Sequence, residues 1–339
     1  MPSLLQRVKS KMFIFAHRKT MTLLDGEYGS VFKGRSLDFD DLRSYVPGDE
    51  IRDIDWKATA RHGSPLVKRY TAVRRHSVLL LVDTGRAMAA EAASGETKRD
   101  IVVDAAGVLG YLAVRHGDDV GLLHGSLEGT HYVPPKSGED QLERLLRRVH
   151  DAVTPDAPAS AMAQQLDYAL RYLKGRLLIV GVADEFMPDA RAQDLLRRLA
   201  ARHEVLWFTV KDAVLAVEGP AATSRDVEEG STIPAGLAAK PEVRAAYAAA
   251  MLRREEERRE VFRRLGIAEE QAGSSGEVLA AVFSLLERHK AGRGETCRMT
   301  PVSTGRSSTR TSGCGWVWCC WWWWPRGTPG CSCPPHAGP

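Results

Sequence analysis

Two carboxylates stand where this chain is best placed to do chemistry. Asp83 follows the aliphatic run Val78-Leu79-Leu80-Leu81-Val82, and Asp184 follows the segment Arg176 to Ala183. Such runs read as central parallel strands covered on both faces, each ending in an acid. In an open α/β sheet, ligands gather outside the carboxyl ends of the strands. Two carboxylates there form a candidate ligand-binding pair. Arg86 follows closely and offers the pair a neutralising cation instead.

Other catalytic constellations are thin. The ten histidines are scattered, and no two have the i,i+4 spacing of a zincin helix. There is no Gly-x-Ser-x-Gly elbow and no cysteine before Cys297. Asp49, Asp53 and Asp55 form a second acidic group, with Arg52, Lys57 and Arg61 close in sequence. Carboxylates so placed stay ionised, and none serves as a protonated general acid near neutral pH. His76, His124 and His131 flank strands and read as satisfied polar residues. The chain is therefore expected not to be an enzyme. A metal-assisted hydrolase stands behind the other readings, because no nucleophile–base pair has suitable spacing.

The densest charge pattern covers residues 35–61, where seven carboxylates and five Lys or Arg alternate around the turn Pro47-Gly48-Asp49. Interleaved signs predict a fixed ion-pair network, whereas blocks of one sign predict a solvated tail. Ile51, Ile54 and Trp56 offer apolar anchors. The stretch reads either as a structural clasp or as an interaction surface. Ile54 and Trp56 are expected to be buried, with Asp49, Glu50 and Arg52 nearer the surface.

Arg43-Ser44-Tyr45-Val46-Pro47-Gly48-Asp49-Glu50-Ile51-Arg52, followed by Ile54-Asp55-Trp56-Lys57-Ala58-Thr59-Ala60-Arg61, resembles the signature of the domain-of-unknown-function 58 family. Members of that family resemble von Willebrand factor A proteins and are often encoded beside MoxR-type AAA+ ATPases. The resemblance implies a non-enzymatic scaffold or adaptor, working with such an ATPase on a client protein in assembly or maturation. It marks Arg43, Tyr45, Pro47, Gly48, Asp49, Arg52, Asp55, Trp56 and Arg61 as the interaction residues. It also implies a magnesium site of the pattern Asp-x-Ser-x-Ser, plus a Thr and an Asp from later loops. Asp83 and Asp184 match the two acids; Gly85 and Ala87 replace both serines and carry no side-chain oxygen. Ser160 is a candidate for the Thr. The expected site is thus degenerate and the chain needs no cofactor. A divalent-metal-dependent binding module is the alternative function.

The elements that must position these residues follow from periodicity. Residues 3–19 carry no acid and space Leu4, Leu5, Val8, Met12 and Phe15 as a helix, with Arg and Lys elsewhere around it. Such a helix docks on its own domain or lies on an anionic membrane surface. Residues 23–34 predict a short strand or hairpin, and Leu66 to Tyr70 a strand. Then strands at 77–83, 119–124, 176–183 and 204–210 alternate with helices at 98–115, 140–153, 159–173 and 188–202. A short strand at 130–133 sits antiparallel at an edge, ended by Pro134-Pro135. Strands alternating with helices predict a doubly wound, mostly parallel α/β sheet, similar to a von Willebrand factor A domain.

Five segments result. Residues 1–22 form the basic amphipathic helix, and 23–75 the N-terminal strands and signature. Residues 76–212 form the von Willebrand factor A-like domain. Residues 213–290 hold a loop and C-terminal helices, with Val243, Tyr247 and Met251 inward on a helix from Pro241 to Gly266. Ser274 and Glu277 suggest a capping box for the last helix. Residues 291–339 form a Trp- and Cys-rich tail, read as disordered or as an out-of-frame translation. Its cysteines lack paired C-x₂-C spacing for zinc, and its apolar run is too short for a membrane anchor. The net charge of +4 is too small to argue for nucleic acid. A cysteine-free body without a membrane-length apolar run is expected in the cytoplasm, with peripheral contact at the inner membrane face through residues 3–19.

Overall fold

The computed structural model describes residues 3–15, 28, 38–46, 49, 54–71, 76–213, 226–228 and 240–296. Its centre is a six-stranded sheet of β3 (Ser77–Asp83), β4 (Asp119–Ser126), β5 (Gly129–Lys136), β6 (Leu178–Ala183), β7 (Glu204–Val210) and β8 (Ala268–Ala272). The spatial order is β5-β4-β3-β6-β7-β8. All neighbours run parallel except β5, which pairs antiparallel with β4 at one edge. This is the expected doubly wound α/β architecture, consistent with a von Willebrand factor A-like core.

Successive residues of β3 serve opposite faces, as the strand period demands. Val78, Leu80 and Val82 enter one apolar core, and Leu79 and Leu81 the other. The first core is covered by α1 (Leu4–Phe15), α3 (Lys98–Arg115), α4 (Glu139–Ala152) and α8 (Val278–Thr296). The second is covered by α5 (Met162–Tyr172), α6 (Ala190–Arg202) and Phe262 of α7 (Pro241–Arg264). Burial on both faces explains the uninterrupted aliphatic runs.

The basic N-terminal helix docks on its own domain. Leu5, Val8 and Met12 are buried against the first core. Gly107 of α3 makes the approach possible, because a Cβ there would meet Val8 at 2.6 Å. The basic residues are also matched: Arg7 reaches Asp100 at 3.0 Å and Asp104 at 3.1 Å, and Lys11 reaches Asp104 at 2.6 Å. The carboxylate of Glu143 accepts from the backbone N–H of Leu4 and Leu5, closing the helix start.

The signature folds as a separate small unit of secondary structure. β1 (Asp38–Ser44) and β2 (Leu66–Thr71) pair antiparallel, with a bulge between Phe39 and Asp41. Between them lies α2 (Trp56–His62), capped by Asp55, whose carboxylate accepts from the N–H of Lys57 and Ala58. Gly63 ends α2 in the left-handed region at φ 81°.

Several expectations need correction. Trp56 is 64% exposed, not buried. It takes the first position of a seven-residue helix with no buried residue, whereas Leu66 and Val67 of the ladder are buried. Ile54 is half-buried and bridges to Val67. Pro134 and Pro135 do not end β5, which continues to Lys136 opposite Val120 through a bulge. An edge strand tolerates prolines because one side of its backbone needs no ladder partner. β8 was not expected, since Ala-Glu-Glu-Gln-Ala has no aliphatic run.

Val243 is exposed and Tyr247 and Met251 only half-buried; α7 instead buries Arg258, Val261 and Phe262 near its end. α6 begins at Ala190 with Asp189 as its cap, so Pro188 lies outside the helix. α5 begins only at Met162, and β6 only at Leu178. Glu277 reaches back to the N–H of Gly273, not of Ser274. Tyr28 is helical and buried instead of extended, donating from Oη to Asp118 at 2.9 Å. The rest of 23–34, and the tail beyond Thr296, lie outside the described residues.

Candidate functional site

The carboxyl ends of β3, β6, β7 and β8 form one rim whose loops are stitched together. After β3 the chain makes a 3-10 turn at Arg86–Ala89, anchored by the Arg86 N–H donating to the carbonyl of Pro158. Ala92 then bridges to Asp212, just beyond β7. The Ser94 N–H donates to the Gly273 carbonyl beyond β8, and Ser275 donates to Glu96. The loops are thus tied to one another by backbone bonds and by the Glu96 carboxylate.

Asp83 lies at the base of this rim, 2% exposed. Its Oδ1 accepts from the Gly85 N–H at 2.8 Å. Burial pushes its carboxyl up to about 7, and the nearby Asp184 adds to the rise; the Gly85 bond and Ser160 work against it. Ser160 Oγ stands near Asp83 but meets no partner at hydrogen-bonding geometry. The Ser160 N–H donates to Glu228 Oε1 at 2.9 Å, and Glu228 Oε2 is buried without a partner. Asp184 is likewise raised, to about 6, chiefly by burial, with Lys98 pulling it down and Asp212 and Glu228 pushing it up. Burial first, then Asp212, also raises the neighbouring Glu185.

The cation that answers Asp184 and Asp212 is Lys98, not Arg86. Lys98 is the first residue of α3 and only 2% exposed, and its ammonium contacts Asp212 and stands 3.8 Å from Asp184. Sequence reading passed over it as one lysine opening a helix. Nothing local marks it, because its partners come from two other loops.

The magnesium that the resemblance implies can be tested against this donor set. Gly85 and Ala87 supply no side-chain oxygen. The space beside Gly85 is also closed: a Cβ there would meet Ser160 Oγ at 2.4 Å and Ser160 Cα at 2.5 Å. A serine side chain has no room without movement of the Ser160 loop. Among the described residues, no three His, Cys, Asp or Glu side chains gather in a metal-holding arrangement. The residues present do not fit the ion.

The signature residues are brought together differently. Arg43 Nη2 donates to Asp49 Oδ1 at 2.6 Å, and Asp49 Oδ2 accepts from the Val46 N–H at 3.0 Å. These bonds hold the Asp49 carboxyl below its ordinary range, the arginine contact contributing most. The Tyr45 N–H donates to the Pro65 carbonyl, tying the turn to β2. Asp55 caps α2, and Arg61 is exposed in its last turn, where a cation complements the helix dipole. Asp49 and Asp55 are therefore structural acceptors. Trp56 at 64% and Val46 at 55% exposure stand out beside them. Pro47, Gly48, Glu50 and Arg52 lie outside the described residues.

A mixed, mostly parallel sheet carrying one antiparallel edge strand, flanked by N- and C-terminal helices, defines a von Willebrand factor A-like α/β protein. The chain belongs to the family described as "Protein of unknown function DUF58", whose model matches residues 41–257. It is 32% identical over 193 residues to "Uncharacterized protein Rv1480" of Mycobacterium tuberculosis, covering 56% of this chain and 60% of that protein. "Uncharacterized protein Mb1516" of Mycobacterium bovis matches to the same extent. The chain thus spans about 60% of the length of the curated relatives it matches.

Among solved structures it is similar to an aerotolerance-related membrane protein from Bacteroides fragilis, at 16% identity and a TM-score of 0.43. That match covers 63% of this chain and 99% of the other. It is also similar to a von Willebrand factor type A protein from Catenulispora acidiphila, at 10% identity and a TM-score of 0.38, over 65% and 44% of the chains. No helix among the described residues is long and apolar enough to cross a membrane.

Proposed function

We propose that this chain is a non-enzymatic adaptor that presents its signature segment to a MoxR-type AAA+ ATPase acting on a client protein. The observation that carries this reading is the exposure of Trp56 at the start of α2 and of Val46 in a turn fixed by Arg43 and Asp49. A large aromatic held in the open on a preformed element loses little freedom when it is covered, and tryptophan is enriched among residues that dominate interfaces. Arg43 and Asp49 neutralise each other in this turn, so that pair orients the surface without adding net charge to it. Family membership supports the choice of partner. A divalent-dependent binding module and a metal-assisted hydrolase are less well supported, because the rim's donor set does not fit an ion.

The test is retention of this chain by the MoxR-type ATPase of the same genome, with and without ATP. Arg43→Ala together with Asp49→Ala is expected to reduce retention at least tenfold while the sheet domain stays folded. Undiminished retention by the folded double variant would remove the signature from the interface.

A further inference from the structure

The rim raises an electrostatic question that the adaptor reading leaves open. Asp83, Asp184, Glu185, Asp212 and Glu228 influence one another across the ends of three strands and an adjoining loop. Buried charge of one sign is tolerated only when a counter-charge sits among it. The Lys98 side chain, 2% exposed, supplies one. It projects from the start of α3 and touches acids that terminate two other elements, β6 and β7. Meanwhile the Gly85 side of the rim is filled by Ser160, so the volume that donors would need has closed.

We propose that the Lys98 ammonium is the resident cation of this rim, covalently tethered and performing the charge balance that a divalent ion performs in metal-binding domains of this architecture. The rim is then assembled without metal, and whatever binds there binds in chelator. Lysine suits the place because its flexible stem carries a compact point charge to two acceptors. The cost is permanence: unlike an ion, the cation cannot leave to switch the site.

Thermal melting of the full chain with EDTA, Mg²⁺ or Mn²⁺ tests the proposal. The wild-type melting temperature should be the same in all three, and a rise of several degrees with millimolar metal would overturn it. Lys98→Met should lower the melting temperature by about 5 °C, because it leaves Asp184 and the partly exposed Asp212 without their cation. The added substitutions Asp184→Asn and Asp212→Asn should restore it. Rescue by removing the facing negative charges means that the lost quantity was positive charge. Lys98→Arg separates charge from shape and should retain more stability than Lys98→Met. If Lys98→Met does not fold, the triple variant decides. Recovery of folded protein supports the cation role, and failure of both variants assigns Lys98 to packing and overturns it.

Discussion

At the scale of single residues, Asp83 carries the clearest physical signature. Its folded value of about 7 lies above its ordinary 3.8, so the native state holds a proton that the unfolded chain has released. The contribution to stability is full below about pH 4 and falls as pH rises towards 7. Asp184, raised to about 6, adds to the same fall. Asp83→Asn keeps the shape and an oxygen for the Gly85 N–H while removing the charge. We expect its melting temperature to depend less on pH, with the wild type losing about 2 kcal/mol more between pH 5 and pH 8. Equal slopes in denaturant titrations across that range would contradict this. His124 works in the opposite sense. Burial, then His131 and Arg148, lower it from 6.5 to about 4, so its contribution is lost as pH falls through that window.

At the scale of elements, two additions close the sheet domain, and each hangs on identifiable contacts. β8 is an edge strand with little apolar content, yet Ala272 is buried and Glu269 is only 8% exposed. Arg258 of α7 donates to Glu269 Oε1 at 2.8 Å, and the same oxygen accepts from Thr209 of β7 at 2.8 Å. Removing one partner of such a pair leaves a buried charge unanswered. Arg258→Ala is therefore expected to cost on the order of 3 kcal/mol and to speed amide exchange in β8 first. Exchange that rises evenly over the sheet would show that β8 is not held this way.

α1 is the second addition. Val8 sits against Gly107, and the helix is short enough to need that docking for its stability. Val8→Asp should free α1, seen as rapid proteolytic cleavage within the first fifteen residues while the remaining chain stays resistant. Binding of anionic vesicles by this variant but not by the wild type would show that docking masks the basic face.

At the scale of the whole molecule, the buried core and the proposed interaction surface lie in different parts. The sheet domain buries its aliphatic runs on both faces, whereas the signature unit leaves a tryptophan in water. Trp56→Ala should therefore change unfolding free energy by no more than ~0.5 kcal/mol. It should nevertheless weaken retention by the MoxR-type ATPase at least tenfold, as loss of an interface anchor would. A variant that binds as well as the wild type would place the contact elsewhere on the molecule. One that unfolds would assign Trp56 to the clasp.

The parts legible in the sequence were those where one segment carries its own signal. The aliphatic runs of β3, β6 and β7 announced central strands, and 98–115 announced its helix with both ends correct, because periodicity and breakers are local. The signature announced the family. The loss of side-chain oxygen at Gly85 and Ala87 was equally plain. What the sequence could not supply was partnership across the chain. β8 exists because β7 offers it a ladder and Arg258 answers its acid, not because its own five residues favour a strand. Trp56 opens a helix that buries none of its residues, whereas Leu66 and Val67 of the following strand are buried, a difference no local pattern shows. The two acids singled out first, Asp83 and Asp184, do lie on one rim. Only the tertiary structure decided that the cation beside Asp184 is Lys98, because that charge opens α3 while its two acceptors, Asp184 and Asp212, follow β6 and β7.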